Sequence, residues 1–189
     1  MIPLVSDRLI IRPWEERDRP RFHEMNSDET VMRFFPFRRN RDESDALMDR
    51  LNERFTAHAM TFFALERRDT SEVIGFTGLS PVGTELPFGP AVEIGWRLMP
   101  SAWGQGFATE AAAACLDYGF DELGLSEIVS FCVESNVKSA AVMLRLGFVE
   151  DEAGRFAHPT IDPQRHPELS PHRLFRLAKQ RWIERRRPA

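Results

Sequence analysis

The sequence predicts an α+β (mixed α/β) architecture, a twisted and mostly antiparallel central sheet flanked by helices on both faces. Three observations predict it. An apolar strand at 91–98 runs through a glycine-bearing turn into a helix at 105–120. Segments 61–67 and 73–79, joined by the polar run 68–72, read as a hairpin pair. Helical stretches with apolar residues at three-to-four spacing alternate with such strands along the chain. The 189 residues suit one domain, 1–189, with a real core, and 42% hydrophobic and 29% charged content is ordinary for a soluble globular chain.

In order, residues 8–13 alternate into a short strand that Pro13 ends. A helix over 15–26 carries Phe22 and Met25 on its buried side, and a turn at 28–32 closes before Pro36. The aromatic and basic segment 33–39 has no clear period. Ala46, Leu47, Arg50, Leu51, Arg54 and Phe55 place a helix over 42–58. After the hairpin, glycine and proline make 81–90 a loop. Helix 105–120 has a face of Ala108, Ala111, Ala112, Cys115 and Gly119, small enough to pack closely on a sheet. A strand spans 127–134, and Asn136 should N-cap a helix over 137–146. Gly147 should end that helix in the left-handed conformation, with Phe148 folding back on it. A strand at 148–156, a proline-bearing loop at 157–170, a strand at 172–178 and a basic helix at 179–187 complete the chain.

The turn after the central strand carries the chemistry. A glycine-rich turn that opens a helix presents unpaired backbone N–H groups and a partial positive charge to an anion. Gly104 and Gly106 allow dihedrals that a side chain forbids and let a phosphate approach the main chain, so the turn reads as a pyrophosphate cradle. A triphosphatase P-loop needs Lys and Ser/Thr after its last glycine, where this chain has Phe107-Ala108-Thr109. A dinucleotide fingerprint needs a third glycine where Thr109 stands.

Trp103-Gly104-Gln105-Gly106-Phe107-Ala108 resembles the acyl-CoA loop, Gln/Arg-x-x-Gly-x-Gly/Ala, of the GCN5-related N-acetyltransferases (GNAT), with Trp103 replacing the usual Gln/Arg. The tryptophan followed by Gly-x-Gly-x-Ala-Thr-Glu-Ala is similar to the ribosomal-protein alanine N-acetyltransferase branch. The resemblance extends through the Ser6–Trp14 segment, through Val92-Glu93-Ile94-Gly95-Trp96, and through Asn136-x-x-Ser139 with Leu146-Gly147-Phe148, covering about residues 6–182 in the family's order. It implies a GNAT-type fold and transfer of an acetyl group from acetyl-CoA to a primary amine by direct attack, without an acyl-enzyme. The acceptor would be a ribosomal or other protein N-terminus, or a small amine.

Within that chemistry Glu93 is the candidate base. It shares a strand face with Gly95, which leaves room for the amine or a bridging water, and with Arg97. Burial there would raise its pKa toward neutrality, and a solvated strand glutamate paired with Arg97 or another cation is the competing reading. Backbone N–H groups near Leu98 and Met99 are the expected oxyanion donors, because the strand must leave its ladder before Pro100. Main-chain groups of Gln105, Gly106, Phe107, Ala108 and Thr109, beside Trp103 and Gly104, would surround the pyrophosphate, with Glu110 turned away. By resemblance, Asn136 would bind the pantetheine arm and Ser139 would protonate the leaving sulfur; helix capping explains both residues equally well. The one tyrosine, Tyr118, is wrongly placed to be that acid. A ping-pong route through Cys115 or Cys132 is the alternative to direct attack. A non-catalytic acyl-CoA sensor and a dinucleotide oxidoreductase are the alternatives to an enzyme of this kind.

Phe34-Phe35-Pro36-Phe37-Arg38 corresponds in position to the wall of the acceptor pocket in related enzymes, where an aromatic wall with flanking arginine would receive an apolar or carboxylate-bearing amine. Core packing by the phenylalanines is the competing reading, and loop 157–170 would close that pocket or form a homodimer contact. A net charge of −4 favours neither nucleic acid nor an anionic membrane, and the basic run at 185–187 reads as a solvated helix end. The histidines and cysteines lack metal-ligand spacing, so no metal is expected. No leader segment and no run of about 18 apolar residues is evident, which makes a cytoplasmic protein the expectation.

Overall fold

The structure, a computed structural model, describes residues 3–186; Arg187 of the basic terminal run lies outside the described residues. The strands are β1 (Leu4–Val5), β2 (Leu9–Arg12), β3 (Phe62–Arg67), β4 (Val73–Val82), β5 (Ala91–Leu98), β6 (Glu127–Val133), β7 (Val149–Ala157) and β8 (Pro171–Ala178). The helices are α1 (Arg19–Ser27), α2 (Arg41–His58), α3 (Phe107–Asp117), α4 (Val137–Leu146) and α5 (Lys179–Arg186). Strand order is β1-β2-β3-β4-β5-β6-β8-β7, a mixed sheet in which β5 and β6 are parallel and the hairpin neighbours antiparallel. The chain forms two compact units, 3–80 with 95–115 and 81–94 with 116–186.

In the first unit, α2 starts where Asn40 and Glu43 cap each other: Asn40 Oδ1 accepts from Glu43 N, and Glu43 Oε2 from Asn40 N, both at 2.9 Å. The core packs Trp14, Phe22, Met25, Met48, Leu51, Phe76 and Met99, with Phe62 and Trp103 against its edge. Arg12, expected as a plain strand residue, is buried and donates to Asp18 at 2.7 Å and to Glu66 at 2.6 Å. A desolvated guanidinium needs such partners.

In the second unit, Asn136 caps α4 by accepting from Ser139 N at 3.2 Å, and Gly147 ends it at φ 95°. Phe148 N then donates back to Met143 O at 3.0 Å, the closing bond of a glycine-terminated helix. The basic helix α5 is spent internally: Arg186 pairs with Asp117 and Asp121, and Arg181 Nε donates to Gly147 O at 2.7 Å. Helix α3 begins two residues later than the sequence predicts, and a wider turn, Tyr118–Glu122, closes it through Leu123 N to Tyr118 O. The short β1 was not foreseen; two residues carry no readable period.

His158 and His172 stack among Phe131 and Phe156, their own ring centroids 5.0 Å apart. Burial holds both below their ordinary value of 6.5. The unfolded chain therefore takes up protons first as pH falls. Stability should be constant above about pH 7, then decline as pH drops from 6.5 toward the lowered folded values. Urea midpoints at pH 7.5, 6.0 and 5.0 check this, and His172→Phe should flatten the decline.

Candidate active site

The C-terminal half of β5 and the start of α3 lie in the first unit and form one continuous turn. Pro100 cannot donate to a ladder, and the chain leaves the sheet in the tight helical turn Pro100–Ala102. Trp103 folds its indole back so that Nε1 donates to Leu98 O at 2.8 Å, and its ring packs on the core edge. Gln105 Nε2 similarly ties back to Ser101 O at 2.7 Å. Gly104 and Gly106, both exposed, adopt φ +75° and +83°, where a side chain is strained. A Cβ on Gly104 would meet nothing within 4 Å, so the space over the turn is open. Phe107 is buried and anchors the first turn of α3. Ala108 and Thr109 follow it half-buried.

Two arginines flank this turn and brace it. The Arg8 guanidinium lies 4.3 Å and that of Arg67 5.5 Å from the Phe107 ring centre, and Arg8 Nη1 donates to Gln105 O at 3.0 Å. Glu110, the one acid of the first turn, is held away: its carboxylate accepts from Ser6 Oγ at 2.7 Å and from Arg8 N at 2.8 Å. Burial would raise its pKa, but those bonds and the Arg8 charge outweigh it and hold the group below its ordinary value. The helix N-terminus thus keeps its positive end without a competing carboxylate. The exposed, glycine-shaped main chain suits a diphosphate, while the Arg8 and Arg67 guanidinia beside it are paired with Glu110 and Asp69.

Two expectations about β5 need correction. The Met99 N–H donates to Ile74 O at 2.8 Å, because β4 still pairs with the chain there, so Met99 is not free to stabilise an oxyanion. Of the two expected donors, that leaves Leu98 N–H as the one to propose. The space beside Gly95 is not vacant either: a Cβ there would lie 3.2 Å from the Phe62 ring, which occupies it. Arg97, the foreseen partner of Glu93, forms no ion pair among the described residues and donates to Asn26 Oδ1.

In the second unit, Glu93 is half-buried on β5 opposite Val129 of β6. Asn136 spends its Oδ1 on the cap of α4. The Ser139 hydroxyl makes no hydrogen bond among the described residues, although its N–H is capped. Tyr118 is buried in the turn after α3. Burial pushes the thiols of Cys115 and Cys132 up to about 12 and about 11. At neutral pH both remain protonated and are poor nucleophiles. Mixing the chain with acetyl-CoA and no amine should leave its intact mass unchanged; an acetyl adduct on either cysteine would reverse this reading. No group of three His, Cys, Asp or Glu side chains among the described residues is arranged to hold a metal, and no described helix is long and apolar enough to cross a membrane.

A mixed sheet whose central strand passes through a glycine turn into a helix N-terminus fits an acyl-CoA N-acyltransferase fold. Residues 8–149 match the family model described as the acetyltransferase (GNAT) domain, and the chain belongs to that family. The uncharacterized N-acetyltransferase YnaD of Bacillus subtilis is 31% identical over 144 residues, 76% of this chain and 81% of that protein. Among solved structures, a GNAT-family acetyltransferase from Bacillus anthracis superposes with a TM-score of 0.77 at 24% identity, covering 94% of this chain and 98% of the other. The spermidine N-acetyltransferase of Vibrio cholerae in complex with CoA and spermine gives 0.72 at 22% identity, covering 93% and 98%. These two likenesses establish the fold. The chain is an acetyltransferase of this family.

Proposed function

We propose that this chain is a single-domain cytoplasmic enzyme that moves the acetyl group of acetyl-CoA to a primary amine, either a protein N-terminus, ribosomal ones included, or a small amine. The observation that carries the proposal is the open turn at Gly104 and Gly106, with positive φ at both glycines and Glu110 tied back to Ser6 and Arg8. Main-chain N–H groups from Gln105 to Thr109 would hold the diphosphate, and the Trp103 bond to Leu98 would fix the turn against the strand end. Asn136, whose Nδ2 is not used in capping, would meet the pantetheine arm.

The chemistry asks little of side chains. Glu93, directly or through a water, takes a proton from the acceptor ammonium, and the freed nitrogen attacks the thioester carbonyl carbon. Leu98 N–H donates to the oxygen as it gains charge. The C–S bond then breaks, the second amine proton leaves to solvent, and the Ser139 hydroxyl passes its proton to the departing thiolate while taking one from solvent water, so that the serine ends unchanged. A thiol of ordinary pKa about 8.5 is already a fair leaving group, so Ser139 adds little. Holding both substrates in line supplies much of the rate.

A panel of small amines and N-terminal peptides, scored for release of free CoA thiol, tests the proposal. Turnover with at least one primary amine is expected. CoA binding without thiol release for any amine would instead make the chain an acyl-CoA-binding sensor.

A further inference from the structure

Arg97 is an incompletely satisfied cation in the first unit. Its guanidinium lies between the Phe35 ring, 4.3 Å from its centre, and the Phe76 ring, at 5.1 Å. Nη1 is committed to Asn26 Oδ1. That acceptor is aimed by the other end of the amide, whose Nδ2 donates to Phe22 O at 2.8 Å and Ser44 Oγ at 3.2 Å. Arg97 Nε is buried without a partner. The same is true of Nε on Arg39, whose backbone N–H donates to Asn26 O at 3.0 Å and whose guanidinium lies 4.8 Å from the Phe37 ring centre. Neither arginine forms an ion pair among the described residues. Asn26 thus ties the two cations into one cluster, with Phe35 and Phe37 exposed beside them.

Burial and the neighbouring Arg39 charge push Arg97 down to about 9. A guanidinium keeps its proton in a protein, so Arg97 stays charged without a paired carboxylate, and the nearest acid acting on the cluster is Glu43, on the Arg39 side. With Nη1 taken, the edge left on Arg97 is Nε with Nη2. The same edge of Arg173 clasps Glu150, and that of Arg67 clasps Asp69. This planar fork matches a carboxylate.

We infer that the acceptor amine carries a carboxylate on an apolar body, with Arg97 and Arg39 binding the carboxylate and Phe35 and Phe37 covering the body. The inference rests on the acetyl-transfer reading above for the word acceptor; the anion site itself does not. Entry to the buried Nε requires the exposed Phe35 ring to swing from over the guanidinium. A polyamine, cationic along its length, would be repelled by the two arginines and gain nothing from the fork.

Two measurements on the full chain test it. The first is calorimetric titration with 3-phenylpropionate, a carboxylate with no amine, and with its uncharged amide. The acid should bind and the amide should bind about tenfold more weakly or less. Arg97→Gln should remove that difference, and Arg39→Gln should reduce it, which keeps the test valid if one variant fails to fold. Equal affinity for acid and amide in the unaltered chain overturns the site. The second measurement compares kcat/KM for phenylalanine, phenylalaninamide and spermidine, and for Ala-Asp-amide against Ala-Asn-amide. Phenylalanine should exceed its amide by about tenfold, with spermidine poorest. If the preference appears only in the peptide pair, the carboxylate is an acidic side chain near a protein N-terminus. Transfer to amide and acid alike refutes the inference and leaves the proposed function standing. No transfer to any amine, with Arg97-dependent binding of 3-phenylpropionate, refutes the function and leaves the anion site standing.

Discussion

Glu93→Gln should lower kcat by about 100- to 10,000-fold, the range a positioned general base supplies, while changing the KM for acetyl-CoA by no more than about twofold. The amide keeps the shape of the side chain on β5 and its place opposite Val129, so the fold and the turn after β5 should be undisturbed. What is lost is a group that can receive the ammonium proton. The deficit should therefore shrink as pH rises and more of the acceptor arrives as free amine. A kcat within about threefold of the unaltered enzyme, with the same pH profile, would remove Glu93 as the base. Arg97 matters to this argument, because its guanidinium is tied to Asn26 and not to Glu93. Pairing of Glu93 with Arg97 therefore falls away, and a solvated strand glutamate paired with another cation remains the competing reading.

Gly106→Val should weaken CoA binding by about a hundredfold or more. At φ +83° a β-branched residue is a steric outlier, and an L side chain in that region costs about 1–2 kcal/mol. The Cβ itself would only touch Arg8 Nη2 at 3.5 Å, an ordinary contact, so the strain lies in the backbone dihedral. Relief requires the turn to rotate, which misaligns the amides at the start of α3. Losing two hydrogen bonds to a charged group, each worth about 1.5–3 kcal/mol, amounts to at least about a hundredfold in affinity. Calorimetric titration of CoA reads this directly. Affinity within about threefold of the unaltered chain would show that the diphosphate does not rest on this turn. The residue is exposed, so the variant should fold.

The parts of this account that were legible in the sequence are those fixed by local chemistry. Gly104 and Gly106 announce a turn because only glycine tolerates their dihedrals, and Gly147 announces the end of α4 for the same reason. Strand β5 spans the residues its apolar run predicts, 91–98, and α2 begins at a reciprocal cap one residue before the expected start. What stayed hidden depends on partners distant in the chain. Glu110 meets Ser6 and Arg8 across about a hundred residues, and Arg97 meets Asn26 across 71. No periodicity encodes such pairs. The Met99 N–H looked free because Pro100 follows it, yet β4 reaches one residue further than the ladder rule suggested. Gly95 was read as room for a ligand, when its missing side chain accommodates the Phe62 ring. Asn136 remains doubly explained: its Oδ1 caps α4, and its Nδ2 is what a ligand would use.

The claim beneath all of this is that backbone amides at the opening of α3 grip a diphosphate. A crystal of the chain grown with CoA measures it most directly. Diphosphate oxygens should lie about 3 Å from the amide nitrogens of Gly106, Phe107 and Ala108, with Glu110 still bound to Ser6 and Arg8. CoA seated elsewhere on the chain, or a side chain filling the notch above Gly104, would contradict it.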